Sequence, residues 1–142
     1  MITNWVKTPM QELTVQSVAP AHEDARGTVY NLIDDTEVRN VLYVESDSGT
    51  NWGNHYHKSR TQYPYILQGG FTLYYQDLRH ERSTPIKTAQ MNVGDVIKIP
   101  PRVAHAFELD HPTEFIEIVN EPLGENGDRY DQDTVEIDGL ID

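Results

Sequence analysis

Between Gly27 and Asn120, short runs rich in Val, Ile, Tyr, Phe and Thr are broken at close intervals by Gly, Pro, Asn and Asp. Several of these runs alternate apolar and polar positions with period two, the signature of strands with one buried face. No window sustains an i, i+3, i+4, i+7 apolar stripe, so helix is scarce. The pattern predicts strands over Leu13–Val18, Gly27–Ile33, Glu37–Glu45, Trp52–His57, Gln62–Gln68 and Phe71–Leu78. Later ones are expected over Ile86–Met91, Asp95–Ile99, Ala104–Leu109 and Glu114–Asn120. Many short strands with turn signals between them indicate an all-β sandwich or barrel.

The 142 residues are read as one domain, 1–142, with a barrel core over about 27–120 and an N-terminal arm over 1–12. From 121 to 142 the tail turns polar and acidic, with Val135–Ile137 a candidate last strand. Such a tail is either frayed or docked on a partner subunit. Hydrophobic content of 37% suits a small barrel better than a thick layered fold. The chain contains no cysteine, which excludes disulfides, thiolate metal sites and cysteine nucleophiles. There is no apolar run of membrane-spanning length and no signal-peptide core, so a soluble, cytoplasmic protein is expected. A net charge of −12 argues against nucleic acid and membrane partners.

Candidate chemistry concentrates in "WGNHYHKSRTQYPYILQGG", Trp52 to Gly70. Alternation puts His55 and His57 on one face of a strand and Tyr56 on the other. Two imidazoles so placed can converge on one metal ion or act as an acid-base pair. Six histidines give about a quarter of an HxH pair by chance, so the pair needs its context. Five residues on, Gln62 opens the next strand with an amide oxygen close to the pair. Far downstream, "GDVIKIPPRVAHAF" gives a strand, a Pro-Pro brake and then His105.

These two blocks resemble the two motifs of the cupin superfamily, G(x)5HxH(x)3–4E(x)6G and G(x)5PxG(x)2H(x)3N. His55, His57 and Gly69 fall in the first with Gln62 at its Glu position; Gly94, Pro100 and His105 fall in the second, with Arg102 at its Gly and Leu109 at its Asn. The resemblance implies an antiparallel double-stranded β-helix (a jelly-roll barrel), often homodimeric, with a central divalent metal. Its ligands would be His55, His57, Gln62 and His105. Three histidines with a weak oxygen donor suit Zn, Fe, Ni or Mn over Mg or Ca. "DARGTVYNLID", "GNHYHK" and "VNEP…DRYDQDTVE" are similar to segments of nucleotide-sugar cupins. That group holds 3,5-epimerases, 3,4-ketoisomerases whose paired histidines move protons without a metal, and metal-holding cupin domains of capsular-sugar enzymes.

The resemblance implies a carbohydrate isomerase or epimerase acting on a keto sugar, possibly nucleotide-linked, using a metal or a histidine acid-base pair. His55, His57 or a tyrosine such as Tyr56 would move the proton, and Trp52 would be a stacking platform or rim aromatic. Lys58, Arg60 and Arg102, with Arg26 and Arg39, either converge into a phosphate seat or are solvated loop residues. Glu108 and Glu117 are expected at the surface or behind a ligand histidine, and His22, His80 and His111 at the surface. The alternatives are an Fe- or Ni-dependent cupin dioxygenase and a non-catalytic small-molecule-binding cupin.

Overall fold

The computed structural model describes residues 16–79 and 84–141. Twelve strands run in chain order: β1 Gln16–Ser17, β2 Pro20–Asp24, β3 Gly27–Tyr30, β4 Asn40–Ser46, β5 Thr50–His57 and β6 Gln62–Gln68. They continue as β7 Gly70–Asp77, β8 Lys87–Asn92, β9 Asp95–Val96, β10 Val103–Leu109, β11 Thr113–Val119 and β12 Thr134–Glu136. One 3₁₀ turn, Glu125–Gly127, leads into α1, Asp128–Asp133. The expected strands are found with ends shifted by a few residues. β2 has no counterpart among them, and β3 stops at Tyr30 instead of reaching Ile33. Leu13 to Val15 and the arm over 1–12 lie outside the described residues, as does His80.

Two five-stranded sheets, ordered β1-β9-β6-β11-β4 and β12-β5-β10-β7-β8, form an antiparallel jelly roll, with β2-β3 a separate hairpin. Period-two alternation directs one face of each strand inward. Ile66, Phe71, Leu73, Met91, Ile97, Ile99, Val103, Phe107, Leu109 and Phe115 meet there as the main core. Phe71 stacks on Phe107 at 4.3 Å, and Phe107 meets Phe115 edge-on at 5.8 Å. That apolar packing fills one end of the barrel. The histidines occupy the other.

β10 is buried on both faces, as a central strand covered on each side must be. Its outward Ala104 and Ala106 lie under Leu140, with Ile137 and Ile141 packed beside them. Small side chains at 104 and 106 let that segment approach. The tail expected to fray or to dock on another subunit is therefore laid on its own barrel, and β12 extends the second sheet beside β5. Among the described residues no helix is long and apolar enough to cross a membrane.

Candidate functional site

The site begins with a break in the β5–β10 ladder. His105 pairs with His55, but the next residue, Ala106, pairs with Gly53, leaving Asn54 as an extra residue in β5. Asn54 has φ 62° and Gly53 φ 94°, the left-handed conformations that such a bulge requires. A Cβ on Gly53 would lie 2.6 Å from the His105 carbonyl oxygen, so glycine is needed for close approach too. The bulge resets the alternation. Trp52 comes to lie opposite Phe107 and faces inward, although simple alternation from His55 and His57 would turn it out.

His55, His57 and His105 converge so that one nitrogen from each lies within 4.8 Å of the others. Their ring centroids are 4.7 Å (55–57), 4.9 Å (55–105) and 5.4 Å (57–105) apart. The protein behind two of the rings sets their tautomers. His105 Nδ1 lies 3.0 Å from the Val103 carbonyl oxygen, which only accepts, so Nδ1 carries the proton. The Thr134 hydroxyl donates to the Tyr130 carbonyl at 2.6 Å, so at 3.1 Å it must accept from His57 Nδ1. In both rings Nε2 is left as the lone-pair atom, and that of His57 is buried with no hydrogen-bond partner in the protein. Burial, with the neighbouring rings, pushes His57 down to about 2 and His105 to about 3. Burial also lowers His55, although Glu136, 3.9 Å from its Nδ1, works the other way. The cluster is therefore neutral near pH 7, the state in which imidazole donates to a metal.

Above the rings is a cavity of about 260 Å³ lined by Leu42, Val44, Trp52, Gly53, His55, Gln62, His105, Phe107, Phe115, Glu117, Leu123 and Tyr130. Gln62 is fixed at the start of β6 by backbone bonds in both directions with Ile99. Its Nε2 donates to Glu117 Oε2 at 3.3 Å, while Oε1 is buried without a partner in the protein. Glu117 shares the inner face of β11 with Phe115 and Val119, and burial pushes its carboxyl up to about 7 against the lowering effects of Arg60 and Gln62. Three imidazole nitrogens and a free amide oxygen make a donor set that fits a borderline-soft divalent ion.

The tail roofs this cavity. Tyr130, on α1, packs 5.3 Å from the His57 ring and 6.2 Å from that of His55, and burial raises its phenol. Arg60, 1% exposed, lies 5.2 Å over the Tyr130 ring and bonds the Pro122 carbonyl at 2.7 Å and Asp133 at 3.3 Å. Asp133 also accepts from the Ser59 N–H, the Ser59 hydroxyl and the Arg60 N–H at 2.7–3.1 Å.

Several expectations change accordingly. Arg60 is not a solvated loop residue: it is buried outside the cavity lining, and two of its guanidinium nitrogens bond the tail. Lys58 and Arg102 are exposed, and neither lines the cavity, nor do Arg26 and Arg39. Arg102 instead holds the left-handed turn, φ 65°, where the cupin motif has glycine. Tyr56 packs on the outer face with Ala104, Ala106 and Leu140, so it cannot serve the pocket. The tyrosine that faces the histidines is Tyr130. Glu117 is neither at the surface nor behind a histidine: it lines the cavity. Glu108 lies on the outer face of β10 and accepts from the Tyr74 hydroxyl at 3.2 Å. His22 is buried, 3.0 Å from Asp24, while His111 is exposed as expected. Trp52 is 47% exposed at the cavity rim, its indole N–H bonded to Ser46.

The same barrel is found in solved structures. The dTDP-4-dehydrorhamnose 3,5-epimerase of Sulfolobus tokodaii superimposes with a TM-score of 0.71 at 17% identity, over 95% of this chain and 85% of that one. A double mutant of the 3,4-ketoisomerase QdtA from Thermoanaerobacterium thermosaccharolyticum gives 0.63 at 16%, over 86% of this chain and 85% of that one. The capsular polysaccharide assembling protein CapF of Staphylococcus aureus gives 0.59 at 24%, over 82% of this chain but only 33% of CapF. At such identities the likeness is one of fold. No curated protein matches the chain. The family model described as the polysaccharide biosynthesis C-terminal domain matches residues 22–134, from the first hairpin to the tail strand that backs His57. By that match, on a cupin-type barrel, the chain belongs to the polysaccharide biosynthesis C-terminal domain family.

Proposed function

We propose that this chain is an isomerase or epimerase of a keto sugar carried on a nucleotide. The observation that carries the reading is the neutral three-histidine cluster beside a small cavity that also takes in Gln62 from β6, Glu117 from β11 and Tyr130 from α1. The neighbouring folds support the substrate class, since they include a dTDP-sugar epimerase and a ketoisomerase crystallised with TDP. A cavity of about 260 Å³ is at the small end for ligand pockets, so it suits the sugar ring, with the nucleotide outside. Its apolar side, Leu42, Val44, Phe107 and Phe115, would exclude water from that ring.

His55, His57, His105 and Gln62 would hold a divalent metal (Zn, Fe, Ni or Mn), which when bound would polarise the sugar carbonyl and acidify the neighbouring C–H. With conjugate acids at about 2 and 3, His57 and His105 are poor bases at neutral pH, which favours lone-pair donation over proton transfer. The proton is then moved by the two other polar groups of the cavity. Glu117, on β11, takes the proton from the carbon beside the carbonyl, and the Tyr130 hydroxyl, on the roof, supplies a different proton to the resulting carbanion, both groups being reset by solvent. Inversion at a carbon needs such a base and a separate acid, and these two groups come from different elements of the fold.

The reading is tested by incubating metal-loaded protein in deuterated water with keto-sugar nucleotides, including TDP-4-keto-6-deoxyglucose. Deuterium is expected at the carbon beside the keto group. No exchange with any substrate overturns the proposal. Oxygen uptake by the Fe(II)-loaded protein would point to a dioxygenase, and binding without exchange to a non-catalytic receptor.

A further inference from the structure

At the position where the cupin pattern carries a carboxylate, this chain has the amide of Gln62, and an amide can present either its oxygen or its NH₂ to the histidines. The neighbouring strand resolves the choice. Gln62 pairs with Val119 and Pro64 with Glu117 across β6 and β11, so Gln62 and Glu117 are diagonal neighbours on the inner face. Gln62 Nε2 donates to Glu117 Oε2 at 3.3 Å, which commits the amide nitrogen to that side. The Gln62 side chain lies beside the His57 ring. Two buried acceptors, Gln62 Oε1 and His57 Nε2, are thus left without a donor in the protein. The opposite rotamer would give His57 an N–H to accept but would give up the Gln62 Nε2 bond to Glu117. Two unshared lone pairs in one place are the donors a metal cation takes.

We propose that Glu117 is the positioning residue that holds the Gln62 amide with its oxygen toward His55, His57 and His105, so that the site offers a metal four donors instead of three. This rests on the metal reading above. It is independent of whether Glu117 also moves a proton, because holding the amide needs only an acceptor oxygen at position 117.

The full chain is loaded with Co(II), and its visible absorption and affinity, by competition with a chelator, are compared among wild type, E117Q, E117L and Q62L. Gln at 117 keeps an acceptor oxygen, so E117Q is expected to retain the wild-type band and affinity even if turnover is lost. E117L and Q62L are expected to share one altered band and to bind about 10–100-fold more weakly. E117L with the wild-type band and affinity, or E117Q behaving like Q62L, overturns the positioning role while leaving the metal reading intact. Should E117L fail to fold, the comparison of E117Q with Q62L still decides. A wild type that binds no Co(II) overturns both.

Discussion

Tyr130 and Glu117 line one cavity, and each owes its place to a different kind of signal. Glu117 shares a strand face with Phe115 and Val119, so it is the polar exception on an otherwise apolar face, and that exception is visible in "EFIEIV". Tyr130 lies in a six-residue helix within an acidic stretch whose local pattern says nothing about a roof. As proton donor, Tyr130 is expected to be worth about 10²–10⁴-fold in kcat. Y130F should therefore lose turnover in the exchange assay while its metal content, by elemental analysis, stays that of the wild type. His55 and His57 were legible as a same-face pair because strand alternation fixes which side chains share a face, whereas Gln62 and His105 joined them through the resemblance to the cupin motifs. Arg60 was not, because its burial depends on Asp133 and Pro122, which are far from it in the chain. The same holds for Tyr56: the outer face of β5 is buried here, and only the tail makes it so.

Two elements shape the site, the bulge in β5 and the tail clasp. The bulge turns Trp52 inward through left-handed residues at 53 and 54, and Gly53 has no room for a side chain. G53A is expected to destabilise the fold by about 1–3 kcal/mol, read as a lowered denaturant midpoint with an unchanged slope. In the clasp, Asp133 takes two backbone N–H groups, a hydroxyl and the buried Arg60 guanidinium. Removing it leaves that charge unpaired, so D133A should cost about 3–5 kcal/mol in equilibrium unfolding. Most strands were legible because alternation and turn residues mark them, whereas β2 was missed: "PAHED" carries charge and little apolar content, and only pairing with β3 makes it a strand. The register slip at Asn54 also escaped, since a bulge depends on the partner strand.

At the scale of the molecule, the jelly roll keeps an apolar core at one end and, at the other, the histidines and a largely apolar cavity. The loop before β4 is tied to the first sheet. Asp35 accepts from Lys98 Nζ and from the Tyr63 hydroxyl, both at 2.9 Å, and the Lys98 ammonium holds its carboxyl below the usual range. A depressed folded value means that this stabilisation is present above the unfolded value of 3.8 and is lost as pH falls through the folded one. The pair is partly exposed, so its charge is worth at most about 1 kcal/mol. D35N, which keeps an acceptor for Tyr63, should lower Tm slightly at pH 7 and converge with wild type in strong acid. We propose that three neutral imidazoles and an amide, brought together by this barrel, form a metal centre.

The most direct measurement of that claim is the metal content of protein purified without a histidine tag, repeated for His57→Ala and His105→Ala. About one Zn, Fe, Ni or Mn per chain is expected in the wild type, with loss in both variants. A folded wild type carrying no such metal even after loading, or variants that keep it in full, would show that the histidine cluster is not a metal centre.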